Sequence, residues 1–140
     1  MSPVMVLPEK TIMDYAQYRK TAKEMILAGV KAADPTEAVK RNVILEGDTL
    51  RICDLTFSRK ELDRILLFSV GKASTRMASA FESVVKPDGG MAITKIGAEI
   101  DVSDLETIPV VRAYHPEPRA INMEASAKIL EMVRDIKPGE

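Results

Sequence analysis

Apolar positions in this chain follow a helical period first and an extended one later. Met1 to Lys10, with Pro3 and Pro8, reads as an irregular lead-in. From Asp14, residues Tyr15, Tyr18, Ala22, Met25 or Ile26, Gly29 and Ala33 recur every three or four positions. That spacing predicts an amphipathic helix to about Ala32. Thr11 followed by Asp14 resembles a capping box, and Tyr15 and Tyr18 are expected to be core or edge packing residues. Asp34-Pro35-Thr36-Glu37 is the clearest local signal. Asp34 can cap, Pro35 sits where its missing N–H costs nothing, and Glu37 can close the box. A second, short helix is expected from here to near Ile44.

Beyond Gly47-Asp48 the pattern turns extended, with a strand near Thr49 to Asp54 and a shorter one near Leu55 to Ser58. Arg59-Lys60-Glu61 is expected to be a solvated turn. Ile65 to Val70 is apolar except for Ser69, which fits a buried strand. A helix is expected over about Ser74 to Val85, carrying Met77, Phe81 and Val84 on one face. Pro87-Asp88-Gly89-Gly90 reads as a turn cluster and Met91 to Thr94 as the next strand. Lys95 to Glu106 is polar and loop-like, its acidic run a solvated face. Ile108 to Ala113 reads as a third strand of the same sheet, Tyr114 to Asn122 as a loop, and Met123 or Glu124 as the start of a last helix ended by Pro138-Gly139.

Strand and helix thus alternate in the second half, which predicts a mostly parallel sheet with right-handed crossovers. The fold class expected is α/β: a partial Rossmann-like three-layer fold with a mostly parallel sheet, preceded by two N-terminal helices. The chain ends where the next strand of such a sheet is expected, so the fold reads as incomplete.

Composition narrows the function classes. With 140 residues, 46% apolar and 29% charged, the chain has the length and make-up of one ordinary globular domain. A net charge of -1, with no tryptophan, argues against nucleic-acid binding and against steering to an anionic membrane. No apolar stretch approaches a membrane span, and the first ten residues lack a secretory signal pattern. Cys53 is the single cysteine and His115 the single histidine, so no disulfide and no Cys/His metal site is expected. A reducing, cytoplasmic setting follows by default. Cys53 itself is expected to be a packed or semi-buried thiol.

Two stretches could carry chemistry. Gly71 and Lys72 join the apolar strand to the following helix, combining flexible backbone, a positive charge and a helix N-terminus. A Walker A loop would need glycine at Leu66 and Ser or Thr at Ala73, and no other glycine is near enough for a dinucleotide loop. A generic anion site remains, beside the plainer reading of a surface lysine after a structural glycine. His115-Pro116-Glu117-Pro118 also follows a strand, and its alternate prolines stiffen it. It is expected to meet the Gly71–Lys72 junction at one sheet edge. Arg112, Glu117 and Arg119 are candidates for anion contacts or for plain surface ion pairs.

These motifs, Val70-Gly71-Lys72-Ala73 with Met77-Ala78 and then His115-Pro116-Glu117-Pro118, together with Ala33-Asp34-Pro35 and Ala38-Val39, resemble the N-terminal part of class II glycerate kinases. That glycerate 2-kinase family also includes proteins called hydroxypyruvate reductases. The resemblance implies transfer of the ATP γ-phosphoryl group to the 2-hydroxyl of D-glycerate, with ATP and Mg2+ as cofactors of the complete enzyme. It implies an active site between a large α/β domain and a smaller one, and residues 1–140 as only a portion of the larger domain. By motif match Lys72 is the catalytic candidate, and Gly71, Lys72, Ala73, His115, Glu117 and Arg119 are the substrate- or phosphate-binding candidates. Lys72 would neutralise a developing oxygen charge or hold the glycerate or phosphate. Two departures stand out. The family usually carries Asp where this chain has Arg119, and its glycine-rich segment would lie beyond residue 140. Taken alone, the chain is expected to be inactive or nearly so, with the remainder of the enzyme or a second copy as its protein partner. The alternative is a non-catalytic α/β domain binding a small anion or a protein.

Overall fold

The computed structural model describes residues 15–98, 105–134 and 136. The Thr11–Asp14 box, the acidic run from Asp101 to Asp104 and the Pro138-Gly139 terminator lie outside them. The chain divides into two units, residues 1–33 and 34–140. The described part of the first is helix α1 (Tyr15–Ala32). The helix falls where the period placed it, but none of its residues is buried. Tyr15 and Tyr18 are therefore not core residues, and the Arg19 guanidinium lies 5.8 Å from the Tyr15 ring centroid.

The second unit opens with α2 (Pro35–Asn42), whose start follows the Asp-Pro signal. Asp34 Oδ1 accepts the amides of Thr36 and Glu37 at 2.8 and 3.3 Å. Its other oxygen accepts from the Arg76 guanidinium at 2.7 Å, and that bond holds the carboxyl below its ordinary range. The helix stops at Asn42, earlier than Ile44, because Val43–Glu46 is strand β1. Asn42 donates its side-chain amide back to the Ala38 carbonyl, while its own carbonyl accepts from Cys53. Val43 and Ile44 are β-branched, and pairing with the next strand outweighs their place on a short helical face.

β1, β2 (Thr49–Ile52) and β3 (Leu55–Ser58) form an antiparallel sheet in the order β1-β2-β3. The mostly parallel sheet expected from the second half of the chain does not include these strands, which form a separate antiparallel sheet. The strands are joined by two-residue turns, Gly47-Asp48 and Cys53-Asp54, and such hairpins need no crossover helix. Cys53 takes the first turn position with φ 53° and is exposed at the tip, so it is not the packed thiol expected. The solvated turn at Arg59-Lys60-Glu61 takes the form of a one-turn 3-10 helix, with Lys60 and Glu61 exposed.

β4 (Leu66–Val70), β5 (Gly89–Lys95) and β6 (Val110–Ala113) form a second, parallel sheet in sequence order. β5 starts two residues before the apolar run suggested, taking in Gly89 and Gly90, because they pair with Leu66 and Leu67 of β4. Asp88 secures that entry: it accepts the Ile65 amide at 2.7 Å and donates its own amide to the Ile65 carbonyl at 2.8 Å. Helix α3 (Ser74–Glu82) follows β4, and α4 (Ala120–Val133) follows β6, starting three residues before Met123. Met91 to Thr94 are all buried, which explains why β5 reads as a continuous apolar run without alternation. Met91 and Ile93 pack with Ala125 of α4, whereas Ala92 packs with Ala78 of α3.

A larger apolar cluster joins the two sheets. Val39 of α2, Val43 and Leu50 of the antiparallel sheet, and Ala80, Phe81 and Val85 pack together, with Leu67 of β4 against them. The described architecture is thus α/β, with four helices, an antiparallel three-stranded sheet and a parallel three-stranded sheet.

Candidate functional site

Three parallel strands end side by side at Val70, Lys95 and Ala113. Parallel α/β sheets offer ligand crevices outside such carboxyl ends. At β4 the chain must reverse into α3 within three residues. Gly71 does this with φ 123°, a region closed to residues with a Cβ. Its N–H donates to the Ile93 carbonyl at 2.9 Å, and its carbonyl accepts from Ser74 at 3.2 Å. Ser69, the one polar residue of the apolar run, donates its hydroxyl to the Ser74 carbonyl at 2.8 Å. The turn is thereby tied to β4, to β5 and to the first residue of α3. Among the described residues no carbonyl accepts from the amides of Lys72, Ala73, Thr75 or Arg76. These are the orphan donors of a helix start, and they place partial positive charge beside Lys72.

At β6 the chain leaves Ala113 through Tyr114 and the His115–Pro116 bond, which is cis. Asn122, in the first turn of α4, holds this loop from the inside. Its side-chain oxygen accepts the amides of Tyr114 and Arg119 at 3.1 and 3.0 Å, and its nitrogen donates to the Tyr114 carbonyl at 2.9 Å. One side chain therefore fixes both ends of the His-Pro-Glu-Pro segment. Asn122→Ala would leave two amides and a carbonyl without that partner. We expect a loss of about 1–3 kcal/mol in stability, measured by urea unfolding, and a locally mobile His115 seen as broadened NMR signals.

Between these two features lies a pocket of about 180 Å³. Val70, Gly71 and Lys72 line it from β4 and its turn, and Ile93, Thr94 and Lys95 line it from the end of β5. Ala113, Tyr114, His115 and Asn122 complete it. Two lysines and no carboxylate face it, so it favours an anion. Its volume is below the roughly 300–1,000 Å³ of drug-sized ligand pockets, which suits a ligand of a few heavy atoms.

Of the residues singled out from sequence, Gly71, Lys72 and His115 meet here. Ala73 caps α3 next to the turn but does not line the pocket. Glu117 and Arg119 do not line it either; the Arg119 guanidinium lies 4.3 Å from the Tyr114 ring centroid, a cation–π contact. The charge of Arg119 is thus engaged by its own loop. Arg112 is an exposed residue of β6, likewise outside the lining. Thr94, Lys95, Tyr114 and Asn122 are pocket residues that sequence reasoning missed. The rule that drew notice to Gly71, a position just past a strand, applies equally to Thr94 and Lys95.

Fold and pocket together define an α/β domain with a small cationic cavity at the carboxyl ends of a parallel sheet. The chain belongs to the family described as a domain of unknown function, DUF4147, whose profile matches residues 21–140. It is 29% identical over 132 residues to a D-glycerate 2-kinase of Thermotoga maritima, covering 92% of this chain and 28% of that protein. It is 31% identical over 100 residues to a glycerate 2-kinase of Pyrococcus horikoshii, covering 71% of this chain and 22% of the relative. Among solved structures, a Pyrococcus horikoshii protein superposes with a TM-score of 0.74 at 26% identity, over 88% of this chain and 27% of that one. A glycerate kinase from Thermotoga maritima superposes with a TM-score of 0.65 at 28% identity, over 89% and 27%. The chain thus spans roughly a quarter of the length of these relatives.

Proposed function

We propose that this chain is part of a glycerate 2-kinase active site, and that its pocket holds an oxyanion of the reactants. The single observation that carries this reading is the convergence of Lys72, the Gly71 turn and His115 on one small cationic cavity. The two motifs shared with glycerate kinases are far apart in sequence, and the fold brings them together. In this reading Lys72 is the catalytic residue, neutralising charge on the transferring phosphoryl group or holding the glycerate. Gly71 borders the same oxyanion from the turn and His115 from the facing loop, with Ala73 just outside at the start of α3. Glu117 and Arg119 serve the loop that presents His115. Residues 34–140 would be the beginning of a larger Rossmann-like α/β domain, with D-glycerate as the small-molecule substrate.

Phosphoryl transfer depends on positioning and on charge stabilisation by several converging groups. In a complete glycerate 2-kinase, ATP would supply the phosphoryl group and Mg2+ would lessen its charge. The residues described here do not fit the metal: no group of three His, Cys, Asp or Glu side chains among them could hold an ion, and the pocket lining is cationic. What these residues can do is bind and orient one small anionic group, leaving the nucleotide and metal to the remainder of the enzyme. The 140-residue polypeptide, assayed with ATP, Mg2+ and D-glycerate, should therefore bind glycerate or phosphate yet show no measurable turnover. Turnover would overturn the division of labour, and failure to bind either anion would overturn the reading of the pocket.

A further inference from the structure

Thr94 is 2% exposed, yet its hydroxyl has no hydrogen-bond partner. A hydroxyl buried without a partner costs free energy, and native structures seldom keep one without a use. Its place in the fold suggests that use. The last residue pair between β4 and β5 is Val70 with Ile93, so Thr94 lies one residue further on, beside the Gly71 turn. It lines the pocket between Ile93 and Lys95, and alternation along β5 puts it on the same face as Ala92, the face that packs on α3. Ser74, the first residue of α3, is fully buried and its hydroxyl is likewise without a partner. A second orphan hydroxyl thus sits at the start of the helix, where the Thr75 and Arg76 amides meet no carbonyl among the described residues.

We infer that the Thr94 hydroxyl is a ligand-binding donor, positioned to donate to a carboxylate or phosphoryl oxygen held in the pocket with Lys72. The inference rests on the reading of the pocket as an oxyanion site and adds a residue to it. The hydroxyl complements a lysine: Lys72 is a mobile point charge on an exposed turn, whereas Thr94 is β-branched, restricted at χ1 and enclosed by packing. The lysine supplies attraction and the threonine supplies position. The polar atom is left unpaired in the folded chain because the ligand is its partner.

The test compares the intact chain with Thr94→Val, Thr94→Ser and Lys72→Ala, titrating D-glycerate and inorganic phosphate separately by calorimetry and following Tm. Thr94→Val keeps the shape and removes the hydroxyl. It should weaken binding of at least one anion by about tenfold or more while leaving Tm unchanged or raised, because no protein bond is lost. Thr94→Ser should bind within a few-fold of the unaltered chain. The anion whose affinity falls distinguishes carboxylate from phosphate as the group held. If Lys72→Ala loses affinity while Thr94→Val stays within twofold, the Thr94 inference is overturned and the pocket reading stands; a buried water on the hydroxyl predicts that result. If Thr94→Val loses affinity and Lys72→Ala does not, Thr94 is kept and the role of Lys72 is overturned. If the unaltered chain binds neither anion, both fall.

Discussion

Gly90→Ala should destabilise the domain by about 3 kcal/mol or more, observed as a large fall in the urea midpoint and in the yield of folded protein. Gly90 is buried in β5 with φ 134°, a conformation that disfavours any side chain. A Cβ there would meet the carbonyl oxygen of Leu67 at 1.9 Å and its nitrogen at 2.8 Å, all backbone of the paired strand. Backbone in a parallel ladder cannot step aside without breaking the pairing that sets the register of β4 against β5. The pocket depends on that register, since it determines that Val70 ends beside Ile93. Gly71→Ala makes a contrast. Its φ of 123° also strains a side chain, but nothing lies within 4 Å of the added Cβ, so the cost is conformational alone. A Gly90→Ala chain as stable as the original would mean that β5 does not enter the sheet at Gly89-Gly90.

Lys72→Ala should leave fold and stability almost unchanged and lower the affinity for D-glycerate or phosphate by about tenfold to a hundredfold. The residue is exposed on the turn before α3, so its removal opens no cavity. Its amine is one of two in a pocket without a carboxylate, the other belonging to Lys95. Losing it removes a charge-assisted hydrogen bond to the anion, and Lys95 cannot replace its position. The dependence of binding on ionic strength should fall with it, since long-range attraction to the cavity is halved in formal charge. Calorimetry at two salt concentrations, with circular dichroism as the folding control, reads both effects. On the proposed reading of the chain as part of a glycerate 2-kinase, the same substitution in that enzyme should depress turnover sharply. Affinity unchanged by Lys72→Ala would remove the residue from the site.

Much of the fold was legible because its signals are local. Asp34-Pro35 capped a helix where capping chemistry required, and the Ile65–Val70 run became strand β4, though as a half-buried edge strand with Val70 exposed and not the buried strand its apolar run predicts. The misreadings share a cause. Val43 and Ile44 fit a helical face, and only a strand partner, β2, makes them β1. Gly89-Gly90 looks like a turn, and only close approach to Leu67 makes the pair part of a strand. Cys53 was expected to be packed because cysteine usually is, but a hairpin needed a tip there.

The candidate site divides in the same way. Gly71, Lys72 and His115 were visible because glycine, lysine and a proline-braced histidine are conspicuous residue types at strand ends. Thr94 and Asn122 were not, because threonine and asparagine are common and owe their roles to what surrounds them. One matters through a missing partner, the other through three bonds to the loop it holds. The sequence by itself determined the starts of α2 and α3, the apolar runs that became β4 and β5, and the two motifs that resemble those of glycerate kinases. Tertiary structure decided that the strands divide into two sheets, that Lys72 and His115 share one cavity, and that a buried hydroxyl waits there unpaired. The physical reason is range: capping and periodicity act over a few residues of chain, whereas pairing, burial and the pooling of charge depend on neighbours that only folding brings together.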